Sequence, residues 1–360
     1  MEMGRLHCAV DGLFYTQRLS GIQRNAMELM RELDALVAPG EVELVLPENL
    51  PEGCAPPHCQ NLGLVRWGKH TGMAWEQLDY PRYLKESGRR GLCLCNVIPL
   101  HGFRGDAAIL DICYRARPDF YTDLRGRLSA AWHCLQYRAI AKKADTIITL
   151  TEFSKSELMR VYRVPAEKIA IIPSAWQHME RVQAADGVFD KWPALHPGAY
   201  YFSLANLLKN KNFPWVLRAA KSTPDAVFAI AGGGSLEQAA GELGLDALPN
   251  VQYLGYVSDG EAKTLMAHCK AFLFPTLYEG FGIPPMEAIA CGAPRVLVSD
   301  TPCMREVYGE NADYIDLASN AGDVEHVRPG HDAAAVLARY SWAESAQKLA
   351  ALLRKNAEVV

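Results

Sequence analysis

Residues 274–288 read Phe-Pro-Thr-Leu-Tyr-Glu-Gly-Phe-Gly-Ile-Pro-Pro-Met-Glu-Ala, which sets two carboxylates, Glu279 and Glu287, on either side of a Gly-Phe-Gly turn. A strand-like run ends at Pro275, two glycines follow, and prolines stand where a helix would begin, a position at which a missing N–H costs nothing. Such a loop aims backbone amides and the positive end of a helix dipole at an anion. Glu279 lies in the loop and Glu287 about one turn into the helix, close enough for both to reach one bound ligand. The alternative is a plain strand-to-helix turn with solvated glutamates, and a lone Gly-x-Gly would favour it. Both glutamates and the prolines together favour an anionic ligand.

The elements that must position these residues come in two sets. Short β-branched runs alternate with helical patterns, as in a parallel sheet covered by helices. In the first set the pattern predicts strands over 6–10, 43–46, 107–112, 146–150 and 169–172, with helices over 22–36, 128–143 and 154–162. In the second it predicts strands over 200–204, 226–231, 251–254, 271–274 and 295–298, with helices over 214–221, 259–267 and 285–291. Between them, residues 175–198 lack periodicity and carry Trp192-Pro193 and His196-Pro197-Gly198, the composition of a linker. The fold expected is α/β, two Rossmann-like doubly wound domains facing across a cleft, with ligands beyond the carboxyl ends of the strands. The domains expected are 1–197, on the acceptor side, and 198–340, with a C-terminal helix over 341–360 crossing back to the first.

Composition bounds the function. The 360 residues are 49% hydrophobic and 22% charged, ordinary globular material with room for two domains. Apolar runs are strand-sized, well short of the roughly 20 residues a membrane span needs, and the N-terminus lacks the basic start and long apolar centre of a secretory signal. A cytoplasmic location is the default expectation. Ten cysteines without framework spacing read as reduced thiols, and Cys54, His58, Cys59, Cys93 and Cys95 lack the paired spacing of a zinc site. The net charge of −4 argues against a nucleic-acid binder, yet residues 80–170 hold 16 Lys or Arg against 9 Asp or Glu. Solvated helix faces are the plain explanation. A basic surface for a phosphate-bearing acceptor, or for peripheral contact with an anionic membrane at its inner face, is the sharper one.

The paired glutamates, eight positions apart around Gly-Phe-Gly, resemble those of glycosyltransferase family 4, retaining enzymes of the GT-B fold. That resemblance implies that Glu279 contacts the donor sugar near the reacting carbon and that Glu287 accepts hydrogen bonds from ribose hydroxyls, with the amides of Gly280, Phe281, Gly282 and Ile283 facing the diphosphate. Residues 203–212, Ser-Leu-Ala-Asn-Leu-Leu-Lys-Asn-Lys-Asn, resemble the family's Lys-Asn loop. By that likeness Asn206 lies at the donor and Lys211 stabilises the departing phosphate, as a positioned ammonium would. Asn210 stands where many relatives carry arginine. Gly232 and Val257, in 231–234 and 254–258, resemble the loops around the nucleotide base. Residues 149–154 resemble an interdomain turn in which Ser154 would be an N-cap. Ser20-Gly21-Ile22-Gln23 resembles the glycine loop near the donor phosphate, with Gly21 as the close-approach residue and Gln23 in place of a second glycine. Asp111 matches a catalytic-side aspartate that orients the acceptor or donor sugar, whereas Leu110 replaces the histidine often found before it.

The function implied is retaining transfer of a hexose, with mannose from GDP-mannose as the first choice, from a nucleotide diphosphate-sugar to a saccharide or lipid-diphosphate-linked acceptor in bacterial surface polysaccharide synthesis. No cofactor and no metal is expected, since no Asp-x-Asp triplet occurs in the chain. Two alternatives stand beside it: a non-catalytic nucleotide-sugar-binding relative, and an epimerase or phosphorylase on the same fold.

Overall fold

Strands buried along their whole length, without polar alternation, belong in a parallel sheet covered on both faces. Cys8–Asp11 (β1), Ala271–Phe274 (β11) and Val296–Ser299 (β12) are buried at every residue. In the computed structural model two all-parallel sheets result. One is ordered β3-β2-β1-β4-β5-β6-β7, adding Val42–Leu46 (β2), Gly63–Arg66 (β3), Arg90–Cys93 (β4), Gly105–Ala108 (β5), Ile147–Thr149 (β6) and Ile169–Ile171 (β7). The other is ordered β10-β9-β8-β11-β12-β13, adding Tyr200–Leu204 (β8), Val227–Ala231 (β9), Val251–Gly255 (β10) and Asp313–Ile315 (β13). The structure describes residues 6–204, 209–232, 248–318, 324 and 332–358.

Each sheet reverses its strand order once, between β1 and β4 in the first and between β8 and β11 in the second. In doubly wound sheets the crevice beyond the strand ends at such a point is where ligands bind. Asp11 closes β1, and the Glu279 loop follows β11. Helix starts are fixed locally. Ser258 and Glu261 form a reciprocal capping box for the helix Asp259–Ala267, whose bounds match the sequence pattern.

Four expectations change. The chain divides into units 1–174 with 342–360, and 175–341, so the boundary falls well before Pro197. The reason is that the stretch read as linker bonds to the second unit: Lys263 Nζ donates to Met179 O (2.7 Å) and Val182 O (2.9 Å), and Ala185 N donates to Gly260 O at 3.1 Å. The strand expected over 107–112 is Gly105–Ala108, so Asp111 lies in the following loop. Gly105 and Gly91 explain the missed β4 and the shifted β5. A Cβ on Gly105 would come within 1.9 Å of Gly91 O, so glycine is required where β4 (Arg-Gly-Leu-Cys) meets β5 (Gly-Asp-Ala-Ala), and neither strand holds a β-branched residue. Finally, Thr151 caps the helix Glu152–Tyr162, its Oγ1 accepting from Ser154 N at 3.1 Å, and Ser154 is inside the first turn.

The C-terminal helix Trp342–Ala357 lies in the first unit with the helix Gly21–Asp34. Its ties are Ser345 Oγ to Pro173 O (2.7 Å), Arg354 to Leu36 O (2.7 Å) and Asn356 Nδ2 to Asp106 Oδ1 (2.8 Å). Among the described residues no helix is long and apolar enough to cross a membrane.

Candidate functional site

In the second unit, the Lys-Asn loop and the Glu279 loop are stitched together by backbone. Asn210 O accepts from Leu277 N at 2.7 Å, and Thr276 Oγ1 lies 2.8 Å from the same oxygen. This brings Lys211 Nζ to 2.7 Å from Glu279 Oε1, where Thr276 Oγ1 (2.7 Å) and Asn210 Nδ2 (3.5 Å) also converge. The hydroxyl of Thr276 has one proton and serves Asn210 O or Glu279 Oε1 at any moment. All these contacts meet Oε1; among the described residues none meets Oε2. Lys211 Nζ also lies 5.0 Å from the centroid of the Phe274 ring. The two side chains are only 20% and 15% exposed, and at such a pair the cost of leaving water offsets much of the attraction, so its net contribution to stability is small. Its arrangement therefore matters more for what it offers a ligand, a fixed ammonium beside a carboxylate.

The Gly-Phe-Gly turn is fixed from below. Gly282 has φ +84°, and a Cβ there would lie 2.6 Å from Met304 Cε and 3.3 Å from Phe274, so the position demands glycine on conformational grounds first. Tyr308 is fully buried, burial pushing its phenol well above the usual range, and its hydroxyl donates to Gly282 O at 2.5 Å. Gly280 and Phe281 are buried, and Phe281 meets Tyr340 edge-on at 5.1 Å. Gly282 is then the N-cap of the helix Ile283–Ala290, whose first turn holds Pro284 and Pro285, which have no N–H, while Tyr308 also bonds the Met286 amide.

Glu287 lies one turn into that helix, 8% exposed, and its Oε1 sits 2.8 Å from His178 Nε2. His178 is itself 2% exposed. Sequence reasoning missed it, and no spacing signal could have found it, since it lies 109 residues away in a stretch with no periodicity. A hydrogen bond to a charged group here is worth roughly 1.5–3 kcal/mol. His178 therefore fixes the Glu287 carboxylate in one orientation.

The remaining sequence-derived residues are placed as follows. Gly232 follows β9, its N donating to Gly255 O (2.8 Å) and its O accepting from Tyr253 (3.1 Å), and Val257 is buried after β10. Asn206 lies outside the described residues. In the first unit, Gly21 opens the helix Gly21–Asp34 after the N-cap Ser20, and a Cβ there would meet nothing within 4 Å. Packing does not explain that glycine. Asp111 Oδ1 accepts from Cys113 N at 2.7 Å, a local turn bond. Leu110 is 4% exposed, its N donating to Asn96 Oδ1 (2.8 Å) and its O accepting from Ser154 Oγ (3.3 Å).

The sequence reading also passed over a second acidic pair, at the strand reversal of the first sheet. Asp11 and Glu76 line a cavity of about 10 Å³ with Cys93 and Cys95, room for about one water molecule. Burial pushes the Asp11 carboxyl up to about 7, and burial, then the Asp11 charge, pushes Glu76 well above the usual range. Glu76 sits in a π-helical turn, Trp75–Asp79, the kind of irregularity often found at functional sites. All ten cysteines are free, and among the described residues no three His, Cys, Asp or Glu side chains form a metal-binding group.

Comparison with known proteins agrees with this architecture. Residues 188–359 match the family model for glycosyl transferases group 1. The chain is 27% identical over 206 residues to O-antigen chain mannosyltransferase B of Escherichia coli, covering 51% of this chain and 50% of that protein. It is likewise 27% identical over 206 residues to O-antigen chain mannosyltransferase RfbU of Salmonella typhimurium, covering 56% and 54%. The matched region thus spans about half the length of these curated relatives. In structure it is similar to sucrose-phosphate synthase from Thermosynechococcus elongatus, with a TM-score of 0.72 at 15% identity over 99% of this chain and 100% of that one. It is also similar to HepE of Anabaena in complex with UDP and glucose, with a TM-score of 0.68 at 14% identity over 97% and 99%. The chain has the GT-B fold and resembles bacterial mannosyltransferases of O-antigen synthesis.

Proposed function

We propose that the chain is a retaining glycosyltransferase of the family 4 type, whose second unit holds a nucleotide diphosphate-sugar. The observation that carries this reading is the meeting of Lys211 and Glu279 at 2.7 Å beside the glycine turn that leads into the helix Ile283–Ala290. The amides of Gly280 to Ile283 receive the diphosphate, and Lys211 neutralises the charge that grows on it as the bond to the sugar breaks. Glu287, held by His178, accepts the two ribose hydroxyls, a task suited to a carboxylate. Glu279, its Oε1 taken by Lys211 and Thr276, presents Oε2 to the donor sugar. Gly232 and Val257 border the base.

In the transfer, the bond from the anomeric carbon to the phosphate oxygen breaks and the nucleoside diphosphate leaves with the electron pair. The acceptor hydroxyl oxygen bonds to that carbon on the same face, and its proton passes to the departing phosphate oxygen. No divalent metal is needed in this scheme, because amides and Lys211 supply the positive charge. Mannose carried by GDP leads as the donor, given the O-antigen mannosyltransferases among the similar proteins, and a saccharide or lipid-diphosphate-linked saccharide is the acceptor.

One observation favours a second reading. Leu110, where relatives often carry histidine, is buried and bonded to Asn96 through its backbone, so it offers no imidazole. A chain that binds nucleotide-sugar without transferring it would tolerate that leucine. A thermal-shift screen against GDP-, UDP- and dTDP-sugars, followed by transfer assays on wild type and Glu279→Ala with and without EDTA, separates the two. Transfer that survives EDTA and is lost in the variant supports the transferase. Stabilisation without turnover supports the binding protein, and neither result with any nucleotide-sugar rejects both.

A further inference from the structure

Among the described residues six carboxylates are buried, and four of them are partnered. Asp79 accepts from His70 N at 2.9 Å, and Asp106 accepts from Thr146 N at 3.0 Å and Asn356 Nδ2 at 2.8 Å. Glu287 meets His178 at 2.8 Å, and Asp313 meets Arg295 at 2.6 Å. The other two are Asp11, 6% exposed, and Glu76, 9% exposed, which line the small cavity at the strand reversal of the first sheet. Asp11 Oδ1 accepts from Leu13 N at 3.0 Å, while Oδ2 has the Cys93 thiol 4.0 Å away. The Glu76 side chain makes no hydrogen bond or ion pair among the described residues. Leaving so buried a polar group without a partner is costly, and packing does not account for it. Its position is nevertheless fixed. Trp75 Nε1 donates to Trp67 O and the Tyr80 hydroxyl to Ala9 O, both at 2.7 Å, which pins the π-helical turn at each end. Gln77 clamps the loop after β4, its Nε2 donating to Ile98 O at 3.0 Å and its Oε1 accepting from Leu100 N at 2.9 Å. In that loop Asn96 takes φ +63°, uncommon for a residue with a side chain, and its Oδ1 accepts from Leu110 N at 2.8 Å. Irregular backbone and side-chain bonds therefore hold an unpartnered carboxyl against a cavity.

The size and chemistry of the cavity select its occupant. At about 10 Å³ it admits one water-sized group. No cation lines it, so an anion is repelled, and among the described residues no three His, Cys, Asp or Glu side chains stand together to hold a metal. Burial favours the protonated form of both carboxyls. A pair that shares one proton offers one donor and one acceptor, the complement of a hydroxyl. Three of the lining residues reach the surface: Gln17 is exposed, and Cys95 and Val97 are partly so. The hydroxyl that enters can therefore belong to a larger molecule, whose body stays outside.

We propose that this cavity takes one ring hydroxyl of the acceptor saccharide, held between Asp11 and Glu76 with the sugar ring lying over Cys95 and Val97. That the saccharide is an acceptor rests on the transferase reading; that a saccharide binds here does not. The full chain is titrated with methyl α-mannoside, methyl β-galactoside and methyl β-N-acetylglucosaminide, followed by saturation-transfer NMR. Wild type is expected to bind at least one of them. Glu76→Met keeps the side-chain volume and removes both oxygens, and Val97→Phe narrows the rim while leaving both carboxyls. Each should weaken that binding about tenfold or more, whereas Glu76→Gln, which keeps a donor and an acceptor, should retain most of it. Because the carboxyl is unpartnered, Glu76→Met should melt no lower than wild type. Calorimetric titration with GDP-mannose and UDP-glucose should give the variants the same affinities as wild type. The proposal is overturned if wild type binds no glycoside, if Glu76→Met binds as wild type does, or if Glu76→Met melts several degrees lower, which would make the carboxyl structural. A parallel loss of nucleotide-sugar affinity would assign the pair to the donor and overturn it too. A wild type that binds the glycoside but no nucleotide-sugar refutes the transferase reading and leaves the saccharide site standing.

Discussion

Both sheets end in carboxylates at the point where their strand order reverses, but the two ends are built differently. In the second unit Glu279 meets Lys211 at 2.7 Å, and Glu287 meets His178 at 2.8 Å. In the first unit Asp11 and Glu76 share a small cavity with two thiols and no cation lines it. Burial lifts the second pair toward the neutral form, with Asp11 at about 7. The same residue type therefore does opposite work. Where a partner is supplied, the carboxylate is a fixed polar contact that can address a ligand. Without one it holds a proton and makes the fold sensitive to pH.

The comparison is sharpest in activity. Glu279→Ala should reduce transfer by about a thousandfold and Lys211→Ala by about a hundredfold or more, the scale of losing one positioned charge in an active site. Because the two groups touch, the double variant should lose little more than the worse single one. Initial rates on the donor identified by screening give these numbers, and melting temperatures should fall only modestly in the single variants, which leave one mostly buried partner unpaired, and less in the double variant. A large stability loss would mean that the pair is structural.

Next in size is binding. Glu287→Gln and His178→Ala should each weaken nucleoside diphosphate affinity by roughly ten- to a hundredfold, read by calorimetric titration. A weaker effect on the maximal rate than on affinity is expected for a ribose contact.

The first unit should answer to pH. A carboxyl raised above its unfolded value binds its proton more tightly in the folded state. Its stabilisation is complete below the unfolded value, near 4, and is lost as pH rises through the folded value of about 7. Wild type should therefore melt lower as pH rises across that window, and Asp11→Asn should flatten the fall. Some slope should remain, since burial also lifts Asp106, to about 6. A variant whose melting follows wild type at every pH would remove Asp11 from the account. Smallest is Gly282→Ala, whose forced left-handed backbone costs about 1–2 kcal/mol and should lower the melting temperature by a few degrees.

What was legible from residues alone follows the strength of local signals. The strands Tyr200–Leu204 and Ala271–Phe274 and the helix Asp259–Ala267 are strongly patterned, and the structure places them where the pattern does. Arg90–Cys93 and Gly105–Ala108 were hidden because their close approach requires glycine at 105 and neither strand holds a β-branched residue. Glu279, Glu287 and Lys211 stood out through their neighbours in sequence. His178, Asp11 and Glu76 could not, because their partners are brought near only by tertiary folding. The linker reading of residues 175–198 failed for the same reason, since the bonds that tie this stretch to Lys263 and Gly260 are long-range.

The most direct test uses one variant from each region. Wild type, Glu287→Gln and Asp11→Asn are titrated calorimetrically with GDP-mannose and UDP-glucose in the presence of EDTA. The account predicts one-to-one binding of at least one of these to wild type, retained by Asp11→Asn and weakened about tenfold or more by Glu287→Gln. No binding by wild type, or equal affinity in Glu287→Gln, would contradict it.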